Sequence, residues 1–101
     1  MALTIEIKRD GGDLTVALSG RLNGATAPEL EAKFRPALTS DVENLTLDLG
    51  ALEYISSAGL RILLAAQKIM NRQGEMVVRN VSDAVLDVFD VTGVLDYLNI
   101  K

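Results

Sequence analysis

A two-residue alternation near the start of the chain is the pattern that most limits how it can fold. Large apolar residues recur at every second position over 3–7 and again over 14–18, and the turn-forming run Asp10-Gly11-Gly12-Asp13 separates the two segments. Successive side chains of a strand point to opposite faces, so each segment predicts a strand with one buried face. The short glycine-containing separation predicts that the two strands pair as an antiparallel hairpin.

Helical and strand periodicities alternate along the rest of the chain. Apolar residues recur three and four positions apart in two stretches, which predicts one helix ending near Thr39 and a second running from Ser57 to Arg72. The other predicted elements are strands at 45–49 and 76–78, a third helix capped by Ser82-Asp83, a short helix or turn at 92–94 and an edge strand at 98–100. Strands separated by helices pair in parallel through right-handed crossovers. The sequence therefore predicts a single small α/β domain over residues 1–101, with helices packed on one mixed β-sheet.

The first helix carries its own start signal and one apolar stripe. Thr26 can cap the backbone and Glu29 can reach back to it, which predicts a capping box. Pro28 is tolerated between them because the amides of the first turn lack helical partners. The stripe predicted to face the core consists of Ala27, Leu30, Phe34, Ala37 and Leu38.

The composition excludes most catalytic chemistry. The 101 residues contain no cysteine and no histidine, which excludes disulfides, thiol nucleophiles, the usual zinc ligand sets and imidazole catalysis. We therefore expect a protein that is not an enzyme and uses no cofactor or metal. Ten basic and 14 acidic residues give a net charge of −4, which argues against nucleic acid and anionic membranes as partners. Since the sequence shows no secretion signal and no membrane-length apolar run, the expected location is the cytoplasm.

The start of the second helix is the main candidate for a functional site. Ser56 and Ser57 lie where a strand-to-helix loop meets the first turn, and there the unpaired amides and the positive end of the helix dipole favour an anion. A phosphate on the Ser57 hydroxyl would be well placed. On a helical wheel, the exposed stripe of this helix consists of Ser57, Arg61, Ala65, Lys68 and Arg72.

Simpler roles for the two serines stay open at this point. Either of them can be no more than the helix cap, a role that serine fills often. A nucleophilic role for Ser57 is disfavoured, because no histidine can activate it and Lys68, the only lysine on this helix, lies about 16 Å away along the axis.

Other polar and apolar residues on or near this helix also have two possible roles. Arg61 can neutralise a phosphate or contact a partner, or it can be a solvated side chain. Ile62 and Ile69 lie at the edge of the exposed stripe, either as the margin of the core or as apolar contacts for a docking protein. Asp48 and Glu53 can hold a divalent ion, although a solvated pair of carboxylates is the simpler interpretation.

Several separated segments of the chain match one known pattern in order: Ser56-Ser57-Ala58-Gly59-Leu60, 18–23, 74–78 and 88–94. These segments resemble the STAS family, the small domains of bacterial anti-sigma factor antagonists and of sulfate transporter tails. The first is similar to the family's Asp-Ser-Ser/Thr-Gly-Leu run, in which Ser57 takes the phospho-acceptor position. Asn23 and Ser56 stand where the family usually has Asp, and Ala58 replaces its second hydroxyl residue.

The resemblance implies a function in partner switching. The unphosphorylated protein would bind an anti-sigma factor that is also a serine kinase, and this would free a sigma factor. Phosphorylation of Ser57 would end the binding. A serine phosphatase would remove the phosphate and restore the binding form. A monomer or weak dimer is expected. The alternative is a STAS scaffold that binds another protein or a small ligand without being phosphorylated. The residues expected to contact the partner are Asn23, Ser56, Ser57, Ala58, Gly59, Arg61, Ile62, Ala65, Lys68 and Ile69.

Overall fold

The chain forms the predicted elements in the predicted order. In the computed structural model, which describes residues 3–101, the strands are β1 (Leu3–Asp10), β2 (Asp13–Leu22), β3 (Asn44–Ile55) and β4 (Glu75–Arg79). The helices are α1 (Ala27–Ala37), α2 (Ser57–Gln73) and α3 (Asp83–Thr92), followed by a short 3₁₀ helix at Val94–Asp96. Within residues 3–101, no helix has the length and apolar character needed to span a bilayer.

A four-stranded sheet in the order β1-β2-β3-β4 confirms the mixed architecture. β1 and β2 pair antiparallel around a turn in which Gly11 has a φ of 60°, a left-handed conformation that favours glycine. β2, β3 and β4 pair in parallel, so α1 and α2 are successive crossovers, and they lie against each other. The predicted edge strand at 98–100 is reduced to a single bridge between Val78 and Ile100.

The start of α1 differs from the prediction. No side-chain hydrogen bond caps its first turn, so the predicted capping box of Thr26 and Glu29 is wrong. The Thr26 hydroxyl instead donates to the Arg21 carbonyl oxygen at 2.8 Å and accepts from the Asn23 amide at 2.9 Å. Thr26 is buried, and its side chain is used to fold the preceding loop back onto the end of β2.

The end of α1 also comes earlier than predicted. The helix stops at Ala37 instead of near Thr39, because Leu38 leaves the helical region with φ −88° and ψ 69°. Burial confirms most of the predicted stripe. Ala27, Leu30 and Phe34 are buried, whereas Ala37 and Leu38 are half-buried.

β3 is longer than its apolar alternation indicates. The alternation predicts a strand over 45–49, whereas the strand continues to Ile55. Two register shifts in the second half of β2 allow the parallel pairing to continue past Gly50. The extension delivers the chain directly to Ser56, at the start of α2.

The end of α2 is fixed by a close crossing of the chain. A Cβ atom on Gly74 would lie 1.8 Å from the Glu43 carbonyl oxygen, so only glycine fits at this position. The same carbonyl oxygen accepts a hydrogen bond from the Glu75 amide at 3.0 Å. α2 therefore passes into β4 through one residue.

The core lies between the sheet and its helices, and the inward face of α2 contributes to it. Leu60 and Leu63 of α2 are buried, as are Leu47 of β3 and Phe34 of α1. Phe89 of α3 is fully buried, and α3 packs on β3. With its inward face fixed in this way, α2 must present the opposite face to solvent.

Candidate functional site

The ends of two strands meet at the start of α2. The Ser56 amide donates to the Leu22 carbonyl oxygen at 2.8 Å, which ties the end of β3 to the end of β2. The Ser56 hydroxyl oxygen accepts from the Gly59 amide at 3.4 Å, and the Ser56 carbonyl oxygen accepts from the Leu60 amide at 2.9 Å. Of the two serines, Ser56 is therefore the helix cap, and it is the only residue between β3 and α2.

Ser57 is the first residue of α2, and its side chain is exposed. Because Ser56 supplies the cap, the Ser57 hydroxyl is left for another role. The first amides of a helix have no intrahelical acceptor, and the positive end of the helix dipole lies at the same place. The first turn of α2 contains no acidic residue, so an anion on Ser57 meets no like charge from that turn.

Gly59 allows the first turn of α2 to pack directly on the strand ends. It is buried, and a Cβ atom there would lie 2.6 Å from Leu22 Cγ and 3.0 Å from Ile55 Cγ1. Both neighbours are buried core side chains with little room to move. Gly59 was expected among the partner-contacting residues. In the structure it lies on the buried face of α2 and packs against the strand ends, which supports the site.

Asn23 shapes the loop that leads from β2 to α1. Its side-chain oxygen Oδ1 accepts from the Ala25 amide at 2.9 Å and from the Thr26 amide at 3.1 Å. A carboxylate oxygen could accept the same two hydrogen bonds, so Asn in place of Asp leaves the local fold unchanged. The half-buried Asn23 thus organises the loop beside the start of α2.

The exposed stripe of α2 lies where the helical wheel predicts it. Ile62, at its edge, is half-buried, while Ile69 is 41% exposed. These two isoleucines therefore form an apolar margin between the core and the solvent-facing side chains. The predicted side chains that the structure shows exposed are Ser57, Arg61, Ala65, Lys68 and Arg72.

A groove of about 510 Å³ lies between α1 and α2. Its α1 wall includes Pro28, Phe34 and Leu38. This wall does not follow from the sequence, because periodicity shows that a side chain faces inward but not that a gap remains beside it. Its α2 wall consists of Ala66 and five predicted contact residues: Ala58, Arg61, Ile62, Ala65 and Ile69. The other predicted contact residues lie outside the lining: Asn23, Ser56, Ser57, Gly59 and Lys68.

Arg61 is the charged side chain of the groove that has no ion-pair partner within residues 3–101. On the α1 side, the Arg35 guanidinium and the Glu31 carboxylate form an ion pair with 3.0 Å between Nη2 and Oε2. Their charges cancel, so the groove has apolar walls and one uncompensated positive charge.

Asp48 has a structural role within β3, where it is paired with Arg79 at the end of β4. Its Oδ1 accepts from the Gly50 amide at 2.9 Å and from Asn80 Nδ2 at 3.1 Å. The hydrogen bond from Gly50 lowers the pKa of Asp48 below its ordinary value, and the bond from Asn80 adds a smaller effect in the same direction. Within residues 3–101, no group of three or more acidic side chains is arranged to hold a metal ion.

Comparison with known proteins agrees with the fold. Residues 5–99 match the family model described as Mlab, STAS domain. Among sequence relatives, BtrV of Bordetella bronchiseptica, provisionally named an anti-sigma factor antagonist, is 40% identical over 96 residues. That match covers 94% of this chain and 81% of BtrV.

Two solved structures share the fold over almost the whole chain. An anti-sigma factor antagonist from Mycobacterium paratuberculosis has a TM-score of 0.88 and 25% identity, covering 98% of this chain and 85% of its own. The Bacillus cell fate determinant SpoIIAA, in its phosphorylated form, has a TM-score of 0.74 and 17% identity. The match covers 97% of this chain and 91% of the SpoIIAA chain. At the lower identity, the likeness shows the fold alone.

Proposed function

This chain belongs to the STAS domain family, and on that premise we propose that it acts as an anti-sigma factor antagonist. In its unphosphorylated form it binds an anti-sigma factor that is also a serine kinase, and so frees a sigma factor. Phosphorylation of Ser57 ends the binding, and a serine phosphatase restores it. The protein itself is a regulatory binding protein of the cytoplasm, and the catalysis belongs to its partners.

The observation that carries this proposal is the position of Ser57. Its hydroxyl is exposed at the first turn of α2, next to a cap supplied by Ser56. A phosphate at this place adds about −1.5 to −2 charges at neutral pH, and a desolvated protein contact cannot absorb that charge without cations. The fold itself is compatible with a phosphate, because SpoIIAA, which shares it, has been solved in a phosphorylated form.

Mass spectrometry after incubation with ATP and the anti-sigma kinases encoded beside this gene tests the proposal. We expect one added phosphate on Ser57, none on the Ser57→Ala variant, and one on the Ser56→Ala variant. Absence of phosphate from the folded protein with every kinase tested, or its incorporation at Ser56, would contradict the phosphorylation switch.

A second candidate function is a scaffold that binds a protein or a small ligand without being phosphorylated. The observation that favours it is the apolar groove between α1 and α2, which is large enough for a small molecule. Stable binding of a partner that is unaffected by ATP and kinase would favour this candidate over the first.

A further inference from the structure

α2 carries positive charge only, in a chain whose net charge is −4. Its charged residues are Arg61, Lys68 and Arg72, and it contains neither Asp nor Glu. All three are exposed, and neither of the two ion pairs within residues 3–101 includes any of them. A row of unpaired cations on one helix face matches a partner surface of opposite sign.

Arg61 is the one of these three cations that also borders the groove. Because Glu31 and Arg35 neutralise each other across 3.0 Å, Arg61 supplies the net charge of the groove. Apolar walls beside one free guanidinium fit a protein segment that carries apolar side chains and a carboxylate, since Arg pairs with carboxylates through two parallel hydrogen bonds.

Ser57 and Arg61 are neighbours on the same exposed stripe, one helical turn apart. Residues at i and i+4 have their Cβ atoms about 5–6 Å apart, within reach of a phosphate and a guanidinium. An anion at i with a cation at i+4 is the favourable order with respect to the helix dipole. A phosphate on Ser57 therefore has a cation available within its own helix.

We propose that phosphate on Ser57 pairs with Arg61 within α2, and that in the unphosphorylated protein Arg61 pairs instead with a carboxylate of an acidic, partly apolar partner segment seated in the groove. This inference rests on the proposed function and names the chemistry of the partner surface. Phosphorylation then acts twice: it adds negative charge facing the acidic segment, and it withdraws the cation that the segment binds.

The first half of the inference can be tested without any partner or kinase. Phosphoserine is incorporated at position 57 during synthesis of the full chain, and ³¹P NMR follows its titration. Pairing with Arg61 stabilises the phosphate dianion, so we expect the second pKa of the phosphate to be about 0.3 units lower in the wild type than in Arg61→Gln. Lys68→Gln, eleven positions from Ser57, is the matched control and should leave that pKa unchanged. Equal phosphate pKa values in wild type and Arg61→Gln would overturn the pairing.

The second half is tested by calorimetric titration of the unphosphorylated chain with the anti-sigma factors of the source organism at two salt concentrations. Arg61→Gln should weaken binding by about tenfold or more and make it less sensitive to salt, because the partner's carboxylate loses its cation. Ala65→Trp, which fills the groove, should also weaken binding. Ala32→Trp is its control, since Ala32 is exposed on α1 outside the groove lining.

The outcomes separate this inference from the proposed function. If the wild type binds and both Arg61→Gln and Ala65→Trp bind equally well, the acidic segment is ruled out while the anti-sigma factor antagonist function stands. If the folded wild type binds none of the anti-sigma factors, the proposed function fails, and the partner half of this inference fails with it.

Discussion

The guanidinium carbon of Arg21 lies 4.6 Å from the centroid of the Tyr54 ring. The two residues are paired across the parallel strands β2 and β3, near the point where both strands end. This cation–π contact follows the register shifts of β2 and helps to hold the strand ends that carry Asn23 and Ser56.

Replacing Tyr54 by Leu removes the ring but keeps an apolar side chain. We expect the free energy of unfolding to fall by about 0.5–1 kcal/mol, the usual value of an exposed cation–π contact. Urea denaturation of Tyr54→Leu, Arg21→Gln and the double variant measures the coupling between the two residues. Strictly additive losses would show that the contact contributes nothing to stability.

Truncation of the inward face of α2 should cost far more than truncation of its outward face. Leu63→Ala removes a fully buried side chain and is expected to lower the free energy of unfolding by about 2–5 kcal/mol. Lys68→Ala changes an exposed side chain and should stay within about ±0.5 kcal/mol. Similar losses for both variants in a denaturant titration would contradict the placement of the helix.

Gly59 should not tolerate even one methyl group. Its added Cβ would lie 2.6 Å from Leu22 Cγ, so Gly59→Ala forces the start of α2 away from β2 at an expected cost of about 1–3 kcal/mol. Gly24→Ala is the matched control, because a Cβ at Gly24 meets no atom within 4 Å. Thermal unfolding of the two variants compares them directly, and an unaffected Gly59→Ala protein would rule out the close packing.

Charge at position 57 should control partner binding. Ser57→Asp is expected to weaken binding to the anti-sigma factor by at least about tenfold, because it adds negative charge to the contact, whereas Ser57→Ala should bind like the wild type. Calorimetric titration measures both affinities.

Ser56→Ala provides the structural control for these variants at position 57. The loss of the cap should lower the free energy of unfolding by about 1 kcal/mol without preventing phosphorylation of Ser57. The switch is excluded if folded Ser57→Asp binds as tightly as the wild type.

Asp48 should make stability depend on pH in the acidic range. Its pKa in the folded state lies below the ordinary 3.8, because the Gly50 amide and the Asn80 side chain bond its carboxylate. A group with a lowered folded pKa contributes stability above its unfolded pKa, and this contribution is lost as pH falls through the folded value. In an NMR titration of the side-chain carboxyl, Asn80→Ala should raise the Asp48 pKa toward the ordinary value. An unchanged Asp48 pKa in that variant would remove Asn80 as a cause.

Local periodicity is sufficient to predict the parts of the site that lie on one element. The exposed positions of Arg61 and Lys68 follow from the 3.6-residue repeat of α2 alone. The role of Thr26 does not follow from that repeat. A threonine side chain can form hydrogen bonds forward to the helix or backward to the preceding loop, and the conformation of the loop determines which of them form.

The groove and the full length of β3 could not be predicted from the sequence either. Both depend on how distant segments of the chain meet: α1 beside α2 for the groove, and β2 beside β3 past Gly50 for the strand. Periodicity along one segment carries no information on such distances.

Both ends of α2 are held by contacts with neighbouring strands and loops, and this limits the structural effect of a modification at its first residue. At one end the Ser56 amide is bonded to the Leu22 carbonyl oxygen, and at the other end Gly74 passes beneath Glu43 with no room for a side chain. A single residue of chain joins the helix to the strand at each end, which limits how far α2 can move relative to the sheet. We therefore expect a phosphate on Ser57 to change the electrostatic potential of this surface while α2 keeps its position, so that a partner protein responds to charge and not to a change of shape.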